Sequence, residues 1–377
     1  MLEAQKFGEA LNDLSFDFYS GVPCSFLQYL INYAINEQDF VMAANEGDAV
    51  AICAGAYLGG RKSVFLCQNS GLANAVSSLT SLTYTFKIPV LGFVSLRGEE
   101  GLQDEPQHEL MGQITGDLLA TMRIPYSILS TNLDEALQQL KEADAYIEQG
   151  ESYFFIVKKG TFGKVALKEK SDIENYDIDY REYEQKSVLP TRLSMLSAVK
   201  SYGDDNALVL ATTGLTGREL YELGDTVNQL YMVGSMGCVS SIALGLAIAC
   251  PNKKIIAIDG DGALLMRLGT MATLGYYAPN NLYHLLLDNT AHESTGAQFT
   301  VSSNVDFLKM AYATKYQHIV ALNGNETLKA SLKEWDIKGG LTFAYSKTSL
   351  GVKDNLGRPS VTPVEVKSRF MNYVKSE

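Results

Sequence analysis

Two doubly wound parallel-sheet α/β domains, with no middle domain between them, are what this sequence predicts. Three observations carry that reading. Short apolar runs recur, each closed by a turn of Gly, Asn, Asp or Ser and followed by a helix-like segment. The same rhythm plays twice over comparable lengths. Between the halves, residues 164–188 are charged and lack a core period, as a surface-crossing linker would. The expected division is a first domain over 1–163, a linker over 164–189 and a second domain over 190–377.

Taken in order, Leu2, Phe7, Ala10, Leu11 and Leu14 fall at helical spacing, and a strand over 16–19 ends in Ser20-Gly21-Val22-Pro23. A helix over 25–36 and a strand over 40–44 lead to Asn45-Glu46-Gly47-Asp48, after which 49–58 is a helix of almost wholly small or apolar residues. A strand over 63–67 stops at Gln68-Asn69-Ser70-Gly71, and a helix over 72–82 precedes a strand over 89–94. That strand empties into a long polar loop bracketed by Arg97 and His108. Loops at the carboxyl ends of strands are where α/β proteins place chemistry. A helix over 109–122, a strand over 126–129, a helix over 132–148 and a strand over 153–157 complete the first half.

The second half repeats the order. A helix over 192–200 precedes a strand over 207–211, the turn Thr212-Thr213-Gly214 and a helix near 217–223. A strand over 229–232 leads to Gly234-Ser235-Met236-Gly237 and a small-residue helix over 238–249. Strands over 255–258, 282–287, 318–322 and 341–345 alternate with helices opening near Ala263 and over 306–313, 326–334 and 363–374.

Composition limits the partners. A formal charge of −12 argues against nucleic acid or an anionic membrane, which call for a basic surface. No apolar run approaches the roughly 20 residues that span a bilayer, and the charged first turns make a poor signal peptide. The five cysteines form no CxxC pair, so reduced thiols and a cytoplasmic location are expected.

The stretch 255–296 carries the chemistry. It reads as strand, acidic turn (Asp259-Gly260-Asp261-Gly262), helix, strand, acidic turn (Asp288-Asn289). Parallel strands flanking a helix bring both turns to one sheet edge. The glycines let backbone N–H groups approach a phosphate, and the helix opening at Ala263 offers further donors. A carboxylate beside a phosphate repels it unless a cation sits between them, and an oxygen-loving ion such as Mg²⁺ fits. A metal-bridged diphosphate is the expected ligand.

A GDG followed after about two dozen residues by an acid or Asn and then Asn resembles the thiamine diphosphate (TPP) motif of the TPP-dependent decarboxylases. Further strings carry the likeness along nearly the whole chain: GVPCSFL at 21–27, NEGDAVAICAGAYL at 45–58, QNSGLANAVSSL at 68–79, RGEEG and DEPQHELMG between 97 and 112, and DNTAHESTGAQ at 288–298. The resemblance implies a pyrimidine-binding domain followed by a diphosphate-binding one, each of the TPP-binding fold. It implies TPP and Mg²⁺ as cofactors, with Asp261 and Asn289 as side-chain ligands of the metal and Ala291 contributing its carbonyl.

In the first half the resemblance implies that Glu46 hydrogen-bonds the cofactor's aminopyrimidine and activates it. A carboxylate there, ahead of a helix of Ala, Gly and Ile, has little polar company; the plainer reading is an acid favouring the helix dipole. Gly234 and Met236 match the turn that places an apolar side chain under the cofactor, against a plain core methionine. Thr212, Thr213 and Gly214, with Gly260 and Gly262, are candidates for diphosphate contacts. For the substrate, Arg97 is a candidate anion clamp, His108 and His292 are candidate proton carriers or head-group contacts, and Ser294 and Thr295 lie beside them.

The activity implied is decarboxylation of a small anionic 2-oxo acid. The strings point to a phosphonate-headed acid, 3-phosphonopyruvate, as in phosphonate (2-aminoethylphosphonate) biosynthesis. A sulfonate-headed or other short 2-oxo acid is the alternative, and a TPP-binding protein without catalysis the rival of another class. In this family the pyrimidine-binding domain of one chain faces the diphosphate-binding domain of another, so a homodimer or larger assembly is implied.

Overall fold

The computed structural model describes residues 1–168, 176–184, 186–203 and 207–376. It divides into two compact units, Met1–Asp172 and Ile173–Glu377. Each is a parallel sheet with helices between successive strands.

In the first unit the strands are β1 (Phe16–Gly21), β2 (Asp39–Met42), β3 (Lys62–Gln68), β4 (Leu91–Ser95), β5 (Tyr126–Ile128) and β6 (Tyr153–Val157), in the order β2-β1-β3-β4-β6-β5. All its pairings are parallel. The middle strands are buried on both faces, which is why they read as unbroken apolar runs. The helix Ala4–Asp13 lays Phe7 edge-on to Phe93, with ring centroids 5.9 Å apart. The order reverses between β1 and β3, and the turns after β1, β2, β3 and β4 reach the carboxyl edge there.

The second unit contains β7 (Asp179–Glu182), β8 (Leu208–Ala211), β9 (Gln229–Tyr231), β10 (Ile255–Gly260), β11 (Leu282–Asp288), the short β12 (Ala291–His292) and β13 (Gln298–Phe299), β14 (His318–Ala321) and β15 (Thr342–Lys347). Seven of them form a sheet in the order β7-β14-β15-β11-β10-β8-β9, while β12 and β13 pair as an antiparallel ribbon. The direction of winding reverses between β8 and β10. A switch point of this kind opens a crevice at the strands' carboxyl ends.

The stretch 164–189 differs from the linker expected there. Within it, β7 pairs in parallel with β14, His318 opposite Asp179, as an edge strand of the second sheet. Its alternating half-buried and exposed residues hid it from an apolar pattern. Residues 169–175 and 185 of that stretch lie outside the described residues. Among the described residues, no helix is long and apolar enough to cross a membrane.

One side chain ties the amino edge of the second sheet together, at the end opposite the crevice. The Asn281 amide donates to the carbonyls of Ala247, Cys250 and Lys253 at 3.2, 2.9 and 2.8 Å, clipping the end of the helix Val239–Ala249 to the start of β11. These carbonyls belong to a helix end and its exit, where no helical partner remains. Asn281→Ala is expected to lower stability by about 1–3 kcal/mol, read from the urea unfolding midpoint at unchanged m value.

Candidate active site

In the second unit, β10 and β11 run in register from Ile255 opposite Leu282 to Gly260 opposite Leu287, and β8 lies on the other side with Ala211 opposite Ile258. The turns that leave these three strands therefore meet. They line a cleft with Thr212, Thr213, Gly214, Gly260, Asp261, Gly262, Ala263, Asn289, Ala291, His292 and Ser294, and Met236 joins them. Twelve of the fourteen residues expected on this unit gather there, while Gly234 and Thr295 do not line the cleft. The helix after β10 opens at Asp261 rather than Ala263 and breaks after Met266, before a second helix, Thr270–Tyr277.

Asp261 is 3% exposed, and burial holds its carboxyl above the usual carboxylate range; a hydrogen bond from Thr300 opposes the rise and Asp288 adds to it. Hydroxyls join the two acids. Thr300 donates to Asp261 Oδ2, and Ser302 donates to Asp288 Oδ1 at 3.0 Å, with the two hydroxyl oxygens 2.8 Å apart. Tyr345 donates to the other oxygen of Asp288 at 2.8 Å.

Asn289 is fixed at both ends of its amide. Its Nδ2 donates to Glu293 Oε2 at 2.9 Å, and its Oδ1 accepts from the Ala291 N–H at 3.1 Å. The His292 ring lies over Gly262, where an added Cβ would fall 2.5 Å from the imidazole Cε1. No larger residue fits between the acidic turn and this histidine. Thr295 turns inward on the loop, donating to the His292 carbonyl at 3.1 Å or the Gln298 side chain at 2.7 Å.

Behind the loop stands a group that no spacing announced. Arg192, 6% exposed, holds Glu219, 1% exposed, through two parallel hydrogen bonds of 2.8 and 2.9 Å, and donates through Nη1 to Glu293. Arg192 and Glu293 both line the cleft.

These residues fit a divalent metal with a diphosphate. The expected ligands are all oxygens, which suits a hard cation. Burial together with Asp288 disfavours a negative charge on Asp261, and a cation reverses that cost. Among the described residues no group of three or more His, Cys, Asp and Glu side chains could hold a metal. One carboxylate, one amide and one carbonyl leave positions for phosphate oxygens.

The other three expected residues, Glu46, Arg97 and His108, belong to the first unit. Glu46 opens the helix Glu46–Leu58, capped by Asn45, whose side chain accepts from the Gly47 N–H at 2.8 Å. Its surroundings are more polar than its neighbours in sequence suggested. Asn74 donates to Glu46 Oε2 at 2.9 Å, and Oε1 lies against Gly71, 2.0 Å from where a Cβ would stand. Nearby, Cys24 and Ser95 are 2.9 Å apart from sulfur to oxygen.

Arg97, expected as an anion clamp, is engaged by its own loop. Its guanidinium grips Asp104 through Nε and Nη2 and stacks over Phe26, 5.0 Å from the ring centre. Asp104 also accepts from the Gly98 and Glu105 N–H groups, each at 2.9 Å. His108, 7% exposed, ends the turn Pro106–His108, and its buried Nδ1 has no hydrogen-bond partner among the described residues.

Residues 213–343 match the family model of the thiamine pyrophosphate enzyme, C-terminal TPP binding domain. The chain is 38% identical to phosphonopyruvate decarboxylase of Streptomyces viridochromogenes, over 99% of this chain and 95% of that one. It is 28% identical to sulfopyruvate decarboxylase of Methanosarcina acetivorans, over 97% of this chain and 96% of that one. Benzoylformate decarboxylase from Polynucleobacter necessarius superposes with a TM-score of 0.72 at 11% identity, covering 94% of this chain and 100% of that one, a likeness of fold.

The Arg97 grip and the two N–H donors hold the Asp104 carboxyl well below its ordinary range. Its contribution is therefore whole above the unfolded value of about 3.9 and is lost as pH falls below that toward the lowered folded value. At pH 7, Asp104→Asn is expected to speed amide hydrogen exchange at Gly98 and Glu105 by about tenfold or more, with the gap between variant and parent narrowing below pH 3.9.

Proposed function

This chain belongs to the TPP-dependent phosphonopyruvate decarboxylase family, and from that premise we propose that it converts 3-phosphonopyruvate into phosphonoacetaldehyde and CO₂ with TPP and Mg²⁺. The observation that carries the reading is the cleft at the switch point of the second unit, where Asp261, Asn289 and Ala291 gather beside the Gly260 and Gly214 turns.

In this reading Asp261, Asn289 and the Ala291 carbonyl hold Mg²⁺. The backbone of Gly260, Gly262 and Ala263, with Thr212, Thr213 and Gly214, receives the diphosphate, since glycine and helix-start N–H groups approach phosphate closely. Met236, which lines the cleft after the Gly234 turn, would offer the cofactor an apolar contact. When bound, TPP supplies a nucleophilic thiazolium carbon for the keto group and an electron sink for the bond to CO₂.

Glu46 holds a proton at the aminopyrimidine nitrogen, and Asn74 keeps one of its oxygens in place for that task. His292, over Gly262, is the candidate for meeting the substrate's anionic head, with Ser294 and Thr295 beside it. His108 is the candidate proton carrier of the first unit. Arg97 acts through Asp104 to shape the loop, with Nε and Nη2 committed to that pairing. The family arrangement, with Glu46 of one copy serving the cleft of another, makes the working form a homodimer or larger.

The test is turnover of phosphonopyruvate, sulfopyruvate and pyruvate side by side, with TPP and Mg²⁺ added and both CO₂ and aldehyde detected. The expected result is a kcat/KM for phosphonopyruvate above the others by at least about tenfold, roughly 1.4 kcal/mol of transition-state discrimination. Preference for sulfopyruvate would overturn the substrate assignment while leaving the reaction class intact. Glu46→Gln should lower kcat by about 10²–10⁴ while TPP still binds. Asp261→Ala should abolish magnesium-dependent retention of TPP.

A further inference from the structure

We infer that Glu293 is a positioning residue for the metal site: it holds the Asn289 amide in the orientation that presents its oxygen to the cation. The inference rests on the metal role proposed for Asn289 and adds a residue that stands inside the DNTAHESTGAQ string without an assigned role.

A carboxamide has a donor end and an acceptor end of nearly equal size, and turning it by half exchanges them. A metal ligand needs the acceptor end. In Asn289 the choice is made by Glu293, whose Oε2 accepts from Nδ2 at 2.9 Å. A carboxylate offers no donor, so the reversed amide would set oxygen against oxygen. The Asn289 oxygen accepts one hydrogen bond, from the Ala291 N–H at 3.1 Å. A carbonyl oxygen has a second lone pair, which remains to bind a cation.

Glu293 can impose this because it is itself held. Its Oε1 accepts from the Gly351 N–H at 2.6 Å, and its Oε2 accepts from Arg192 Nη1 as well as from Asn289. Arg192 is gripped in turn by Glu219 through its other two nitrogens. The side chains of Arg192 and Glu293 are each 7% exposed and that of Glu219 is 1%. Ion pairs so little hydrated are directional, and removing one partner strands the others. The chain Glu219, Arg192, Glu293, Asn289 thus carries the rigidity of the helices Leu215–Glu222 and Arg192–Gly203 to one metal ligand.

The experiment is equilibrium dialysis of TPP against a magnesium series, without substrate, on the full-length parent, Glu293→Gln, Asn289→Ala and the double variant, with thermal unfolding of each cofactor-free protein. The glutamine keeps the size but turns a donor toward Gly351 or toward Arg192 and Asn289. The expected result is a magnesium midpoint raised about tenfold or more in Glu293→Gln, and changed by less than about twofold when the same substitution is made on Asn289→Ala.

If the parent shows no magnesium-dependent retention of TPP, the metal reading fails and the inference falls with it. If the parent behaves as expected but Glu293→Gln has the parental midpoint, the inference alone fails. It also fails if the shift is as large without Asn289, accompanied by a lowered unfolding temperature, since Glu293 then acts as a general structural tie. Should Glu293→Gln not fold, Glu293→Asp, which keeps the charge and shortens the reach, takes its place with the same expected rise.

Discussion

The parallel register between β10 and β11 is the constraint on which the second unit's edge depends. Gly260, the last residue of β10, stands opposite Leu287, so Asp261, which opens the following helix, comes level with Asp288, the last residue of β11. A slip of one residue would move either turn by about 3.3 Å and send its side chains to the opposite face. The register is fixed by burial: all seven residues of β11 and five of the six in β10 are buried. A polar residue in that setting needs a partner, and His284 in the middle of β11 finds the Tyr316 hydroxyl at 3.0 Å.

Bringing acids together raises an electrostatic problem that the segment after β11 answers. Asp261, Asp288 and Glu293 face one another's neighbourhood with Arg192 as the cation beside them, and Arg192 is already shared with Glu219. Hydroxyls rather than further cations fill the gap. Thr300 and Ser302 each donate to one of the two aspartates, and Tyr345 donates to Asp288 again. Hydroxyl donors hold the geometry without neutralising it, so the cleft keeps an appetite for a cation. A lysine in place of Thr300 would satisfy Asp261 permanently and remove that appetite.

The strands of both sheets were legible because parallel strands are buried on both faces and announce themselves as apolar runs. The acidic turns were legible because glycine and aspartate have few other reasons to stand at a strand end. What escaped had no such signature. β7 alternates at an exposed edge, with Asp179 and Arg181 in place of an apolar face. The π-helical turn Leu79–Thr83 interrupts what looked like one continuous helix. Arg192, Glu219 and Glu293 are ordinary charged residues in sequence, separated by 27 and 101 positions from partner to partner. Arg97 looked free because its partner Asp104 lies within a loop, where no helical or strand period reports a pairing.

The same winding is loaded differently in the two units, and the difference follows from what each edge must do. The second unit gathers several carboxylates where a cation can complete them. The first places one, Glu46, with an amide donor on Oε2 and a bare glycine against Oε1. Around it the polar company is uncharged or buried: Cys67, whose thiol burial pushes up with Glu46 adding to the rise, and the Cys24 and Ser95 pair. A cation there would pair with the carboxyl and, under the proposed function, take it away from its proton-handling role. The approach is narrow, since even a methyl group on Gly71 would collide with Oε1. The first unit therefore offers a carboxyl held by an amide donor, and the second a set of acids held by hydroxyls; under the proposed function the first would serve the cofactor's proton-exchanging ring and the second, through a cation, its anionic tail.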